Sequence, residues 1–100
     1  MNMQQMMAQA QKMKRELEKA QAALAEKEFT TTKGGAVTVT MLGNKKIQSI
    51  DIDKDALDPE NKDMIQDMIV LAINELFEQI DAAEEEINER ITGSTRGFGF

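Results

Sequence analysis

Residues 29–53 read FTTTKGGAVTVTMLGNKKIQSIDID, and the reading of this stretch decides the fold. Phe29-Thr30-Thr31-Thr32 is short and β-branched, as strands are. Lys33-Gly34-Gly35 is a turn. Ala36 to Leu42 is a second strand that alternates, with Val37, Val39 and Met41 on one face and Thr38 and Thr40 on the other. Gly43-Asn44-Lys45 is the next turn. Ile47 to Asp53 is a third strand with Ile50 and Ile52 on one face. Three short strands joined by tight turns give an antiparallel meander with one apolar face.

Upstream, residues 2–27 form one helix, rich in Ala, Gln, Lys, Glu, Met and Leu and free of Gly and Pro. Its apolar positions are Met3, Met6, Ala10, Met13, Leu17, Ala20 and Leu24, a heptad with a period of 3.5. Such a narrow seam calls for one long partner helix. Downstream, Asp58-Pro59-Glu60 is a helix start with Asp as N-cap and Pro at the first position. The second helix is expected over 59–92, with a stripe of Ile65, Ile69, Ala72, Leu76, Ile80, Ala83, Ile87 and Ile91. From Asp81 onward only this stripe remains apolar, which suits antiparallel pairing with the first helix. Between 64 and 80 the helix is apolar on further sides, at Met64, Met68, Val70, Leu71, Ile73 and Phe77. A helix apolar on most sides must be covered on most sides, and one sheet does not suffice. These six residues are the expected interface of a homodimer. The expectation is therefore an α+β subunit of order α-β-β-β-α, a single domain over 1–92. Residues 93–100, Gly-Ser-Thr-Arg-Gly-Phe-Gly-Phe, form an aperiodic tail expected to be flexible.

Composition narrows the function. The chain has 100 residues, one small domain by length, with 41% hydrophobic and 4% aromatic residues and hence an aliphatic, Met-rich core. It has no Cys, His, Trp or Tyr. That excludes thiol nucleophiles, Ser-His-Asp triads, His or Cys metal sites and disulfides. The N-terminal MNMQQMMAQAQ lacks a basic region and a continuous apolar core, so it does not read as a secretory signal. The longest apolar run, Ile69 to Ile73, is too short for a bilayer. A soluble, intracellular protein is expected.

The net charge of −6 is unevenly spread. Residues 1–50 carry eight basic and four acidic side chains, whereas residues 51–100 carry four and fourteen. Lys12, Arg15 and Lys19 share a helix stripe away from the seam, with Lys14 beside it. Lys33, Lys45 and Lys46 follow, with no acidic residue between 29 and 50, at turns that can project together. Basic patches of this kind hold phosphate backbones even on an acidic protein. Other motifs carry less. Asp51-x-Asp53-x-Asp55 opens like a Ca²⁺ loop, but Ala56 and Lys62 stand where Gly and Glu are required. Gly34-Gly35 has no Gly-Lys-Ser/Thr after it and is a hairpin turn. Glu84-Glu85-Glu86 is a solvated helix face, and the methionines serve as seam filler.

Taken in order and spacing, MQQMMAQAQKMKRELEKAQ, then KGGAVTVTMLGNKKIQSIDID, then the long helix after Asp58-Pro59 resemble the YbaB/EbfC family of bacterial nucleoid-associated proteins. The resemblance spans roughly residues 3–93. The tail departs from it, being Gly/Phe-rich where the family's is usually Gly/Met/Pro-rich. The resemblance implies a tweezer-like homodimer in the cytoplasm and nucleoid that binds double-stranded DNA, without catalysis, cofactor, metal, membrane or small-molecule substrate. Lys12, Lys14, Arg15, Lys19, Lys33, Lys45 and Lys46 are then the DNA-contacting candidates. The alternative is a holdase-like scaffold that grips apolar partners with its Met-rich helix and does not bind DNA.

Overall fold

The computed structural model describes residues 2–93. The order is helix α1 (Met3–Glu26), strands β1 (Glu28–Lys33), β2 (Val37–Leu42) and β3 (Ile47–Ile52), and helix α2 (Lys62–Thr92). Two 3₁₀ turns, Lys54–Ala56 and Pro59–Asn61, lead into α2. The sheet is the expected antiparallel meander β1-β2-β3. The expected tail lies outside the described residues apart from Gly93.

Alternation along β2 is complete: Val37, Val39 and Met41 are fully buried and the threonines between them are not. Thr30 pairs across strands with Thr40 and Thr32 with Thr38, hydroxyl to hydroxyl at 3.1 and 2.9 Å, on the face turned from the core. In β3 the isoleucines at 47, 50 and 52 do not share one period of two. The register resolves this. Thr40 pairs with Ser49 and Met41 with Ile47, so Gln48 is an extra, bulged residue and Ile47 joins the apolar face.

Helix α2 lies across that face. Ala72, Leu76 and Ile80 meet Val37, Val39 and Met41 in one buried cluster, with Ile65, Met68, Ile69, Ile73, Phe77, Phe29, Ala36 and Ile52 packed around it. The helix start differs from the sequence expectation. Asp58 does cap, but it caps the 3₁₀ turn, accepting from the Glu60 N–H at 2.9 Å, and the α-helix begins at Lys62. Asn61 precedes it without a side-chain cap, and its amide donates to the Ala56 carbonyl at 3.0 Å.

Helix α1 opens with a capping box between Asn2 and Gln5. At its other end, the Gly43 and Asn44 N–H groups donate to the carbonyls of Lys27 and Ala25 at 2.9 and 3.2 Å. The β2–β3 turn thus satisfies carbonyls that the helix end leaves open. From this joint α1 and the C-terminal part of α2 leave the sheet side by side as an arm. A shallow groove between them brings Glu16, Lys19, Ala20 and Ala23 beside Arg90 and Ile91, so the pairing is antiparallel, as expected. The seam is covered over only part of its length. Met13, Leu17 and Ala20 are half-buried and Leu24 is buried, whereas Met3, Met6 and Ala10 are exposed. The expected single long partner falls short by geometry. The twelve residues of α2 after Ile80 reach about 18 Å, and α1 is about 36 Å long. The described residues measure 69 × 23 × 14 Å with a radius of gyration of 19.6 Å, against about 13 Å for a compact chain of this length.

Candidate nucleic-acid interface

On α1, the heptad that turns Met13, Leu17, Ala20 and Leu24 toward α2 turns Lys12 and Arg15 outward, with Lys14 alongside and Lys19 exposed at the rim of the groove to α2. All four are exposed, and among the described residues no ion pair engages them. The neighbouring helix of the arm has the opposite sign, with Asp81, Glu84, Glu85, Glu86 and Glu89 against Arg90 over the same length. The arm is therefore acidic along α2, while along α1 the cations outnumber the exposed Glu16 and Glu18 that lie among them.

The three turn lysines behave differently. Lys33 forms an ion pair with Glu75 of α2, whose carboxylate also accepts from the Thr31 hydroxyl at 3.1 Å and the Gln79 amide at 3.3 Å. The Lys33 ammonium bond holds the Glu75 carboxyl below its ordinary range, against partial burial that pushes it up. Lys45 pairs with Asp81 at 2.8 Å, a hydrogen bond and charge attraction that raise its pKa, and its ammonium lies 5.9 Å from the Phe77 ring centre. Its backbone is left-handed, with φ 69°. Lys46 is exposed and carries no ion pair among the described residues.

The sequence expectation that these turns project together is not met. In a meander, successive turns fall at opposite ends of the strand between them. Lys33 closes one end of β2, and Lys45-Lys46 lie beyond the other, roughly 20 Å away by the rise of six residues. What joins Lys45 and Lys46 instead is Lys27, a residue the sequence reading passed over. Its carbonyl accepts from Gly43, and its ammonium sits 5.1 Å over the Phe29 ring. The Lys27-x-Phe29 spacing leading into a strand was the available signal. The backbone of Lys27 thus meets the turn that carries Lys45 and Lys46, although the Lys45 ammonium itself is held at Asp81 of α2.

The six residues expected at a homodimer interface separate into two groups. Met68, Ile73 and Phe77 pack against the subunit's own core. Met64, Val70 and Leu71 remain exposed, at 41%, 57% and 59%, and Ile47 and Ile50 on β3 are exposed too. Among the described residues no group of acidic side chains is arranged to hold a metal ion, and no helix is long and apolar enough to cross a membrane.

The profile of the YbaB/EbfC DNA-binding family matches residues 1–95. The chain is 42% identical to a nucleoid-associated protein of Mycoplasmopsis pulmonis over 98% of this chain and 97% of that one. It is 45% identical to one of Clostridium novyi, over 93% and 82%, and 40% identical to one of Enterococcus faecalis, over 97% and 94%. Among solved structures, an uncharacterized protein of Helicobacter pylori shares the fold with a TM-score of 0.75, at 21% identity, over 91% of this chain and 97% of that one.

Proposed function

Because the chain belongs to the YbaB/EbfC DNA-binding family, we propose that it binds duplex DNA as a homodimer, mainly through backbone phosphates, and thereby affects nucleoid organisation or gene expression. The role is binding without catalysis, in the cytoplasm and nucleoid, in keeping with relatives named nucleoid-associated proteins. The observation that carries this reading is the row of exposed cations on α1, Lys12, Lys14, Arg15 and Lys19, which have no ion pair among the described residues. Lys12 to Lys19 spans about 10 Å of helix, the rise of about three phosphates along one strand. Lys46, without an ion pair among the described residues, adds a cation at the foot of the arm. Lys33 and Lys45, each already neutralised by a carboxylate, contribute less. The acidic side of the arm restricts DNA to the α1 side. With no aromatic side chain described on that helix to stack on bases, sequence preference follows DNA shape.

A second copy is the natural cover for Met64, Val70 and Leu71 with Ile47 and Ile50. Two arms carried by one dimer give a duplex two basic faces.

The test is duplex binding measured across a range of salt. Log affinity falls with log salt, with a slope near −0.9 for each phosphate neutralised. Changing Lys12, Arg15 and Lys19 together to Glu flattens that slope by about three and weakens binding at all sequences alike. A wild-type slope near zero, or an unchanged slope in the variant, overturns the reading.

A further inference from the structure

The projecting tip of α1 has a feature that the DNA reading does not use. From Asn2 to Gln11 the chain carries no charged side chain, within a protein of net charge −6. The same segment bears an open apolar stripe, with Met3 exposed to 76%, Met6 to 57% and Met7 to 58%. The stripe continues, in the same heptad phase, the seam that α2 covers from Met13 to Leu24.

We propose that this tip is a contact surface for the same tip of a second copy of the chain, separate from the surface formed by Val70 and Leu71. The occupant must offer a helix with the same seam spacing. It must also bring no charge that the neutral tip would leave desolvated and unpaired. On this chain the tip itself meets both requirements. The covered part of α1 is flanked by Glu16, Glu18, Lys14 and Lys19, and the exposed side of α2 is acidic. Two tips laid antiparallel about a two-fold axis set Met6 against Ala10, large beside small, and Met3 against the half-buried Met13 at the edge of the part that α2 covers. In that register Lys12 and Lys14 of one copy face Gln4 and Asn2 of the other, so no like charges are opposed. The flanking Gln4, Gln5, Gln9 and Gln11 amides donate and accept, and so complement their own copies.

The contact is small. Ten residues of helix are about 15 Å long, and such a pair falls well below the ~1,200 Å² of a stable interface. It therefore joins copies only where they are already concentrated, for instance side by side on one duplex, a setting that rests on the DNA reading above.

The test is sedimentation over a wide concentration range, without DNA, of the wild type and two variants. One carries Met3→Lys, Met6→Lys and Met7→Lys, and the other carries Val70→Lys and Leu71→Lys. All five positions are exposed, so both variants fold. The expected result is concentration-dependent species larger than the basic assembly in the wild type and in the Val70/Leu71 variant. In the methionine variant that association is at least about tenfold weaker. Replacing the three methionines by Leu preserves it. Larger species that survive in the methionine variant, or a wild type with none at any concentration, overturn the tip contact. Loss of the basic dimer in the Val70/Leu71 variant alone bears on the dimer surface and leaves the tip contact standing.

Discussion

At Gly43 a Cβ atom would stand 1.8 Å from the Leu24 carbonyl oxygen and 2.7 Å from its carbon. The obstacle is backbone at the foot of the arm and cannot rotate away. Gly43→Ala is therefore expected to cost about 2 kcal/mol or more, read as a lower urea midpoint. Gly34 differs. Its φ of 58° favours glycine, but its nearest neighbour is the flexible end of the Met68 side chain. The cost there comes mainly from the backbone. Glu75 gives a prediction with a sign. Its pKa is lowered in the fold, so its stabilising effect is present above the ordinary carboxylate range and is lost as pH falls through the lowered value. Glu75→Gln should unfold more easily than wild type at neutral pH, with the gap closing below about pH 4. A gap that stays constant down to pH 2–3 would count against the Lys33–Glu75 pair as its source.

Each of the two helices serves two environments along its length. Helix α2 is a core element as far as Ile80, where Ala72, Leu76 and Ile80 are sealed against β2, and an arm element beyond it. Truncating Leu76 to Ala opens a cavity at the centre of the cluster, and about 2–5 kcal/mol of stability should be lost in denaturant titration. Truncation of Ile87, half-buried in the arm, should cost clearly less. Helix α1 gains tertiary cover only over its C-terminal half. Hydrogen exchange should accordingly be fast from Met3 to Gln11 and slow around Leu24, since an isolated helix of about ten residues is marginal in water. Uniform protection along α1 in dilute protein would mean that something else covers the tip.

For the whole molecule, sedimentation is the decisive measurement. The exposed group of Val70, Leu71, Met64, Ile47 and Ile50 predicts a dimer at micromolar concentration, and Val70→Lys with Leu71→Lys should give a folded monomer with unchanged helix content. The outline of this molecule was open to reading from its sequence. Strict alternation at Val37, Val39 and Met41, the heptad of α1 and the stripe of α2 each report a periodicity that burial imposes on any chain. Element order, meander and core face follow from those periods, with the start of α2 displaced from Asp58 to Lys62 because residues 59–61 close i+3 bonds as a 3₁₀ turn, the Asn61 N–H donating to the Asp58 carbonyl. The candidate interface was legible only in part. The outward placing of Lys12 and Arg15, with Lys19 at the rim of the groove, is helical geometry again.

Which lysines are free is another matter, because ion pairs join residues far apart in the chain. Lys33 meets Glu75 and Lys45 meets Asp81 only once α2 lies on the sheet, and no local pattern marks either partner. Tertiary structure likewise sent Lys33 and Lys46 to opposite ends of β2 and drew Lys27 to the β2–β3 turn. It also decided where α2 stops beside α1, which leaves the methionine tip uncovered. Periodicity is a property of each segment, and the sequence determines it alone. Charge neutralisation and exposure are properties of pairs of segments, and they exist only after the segments have met.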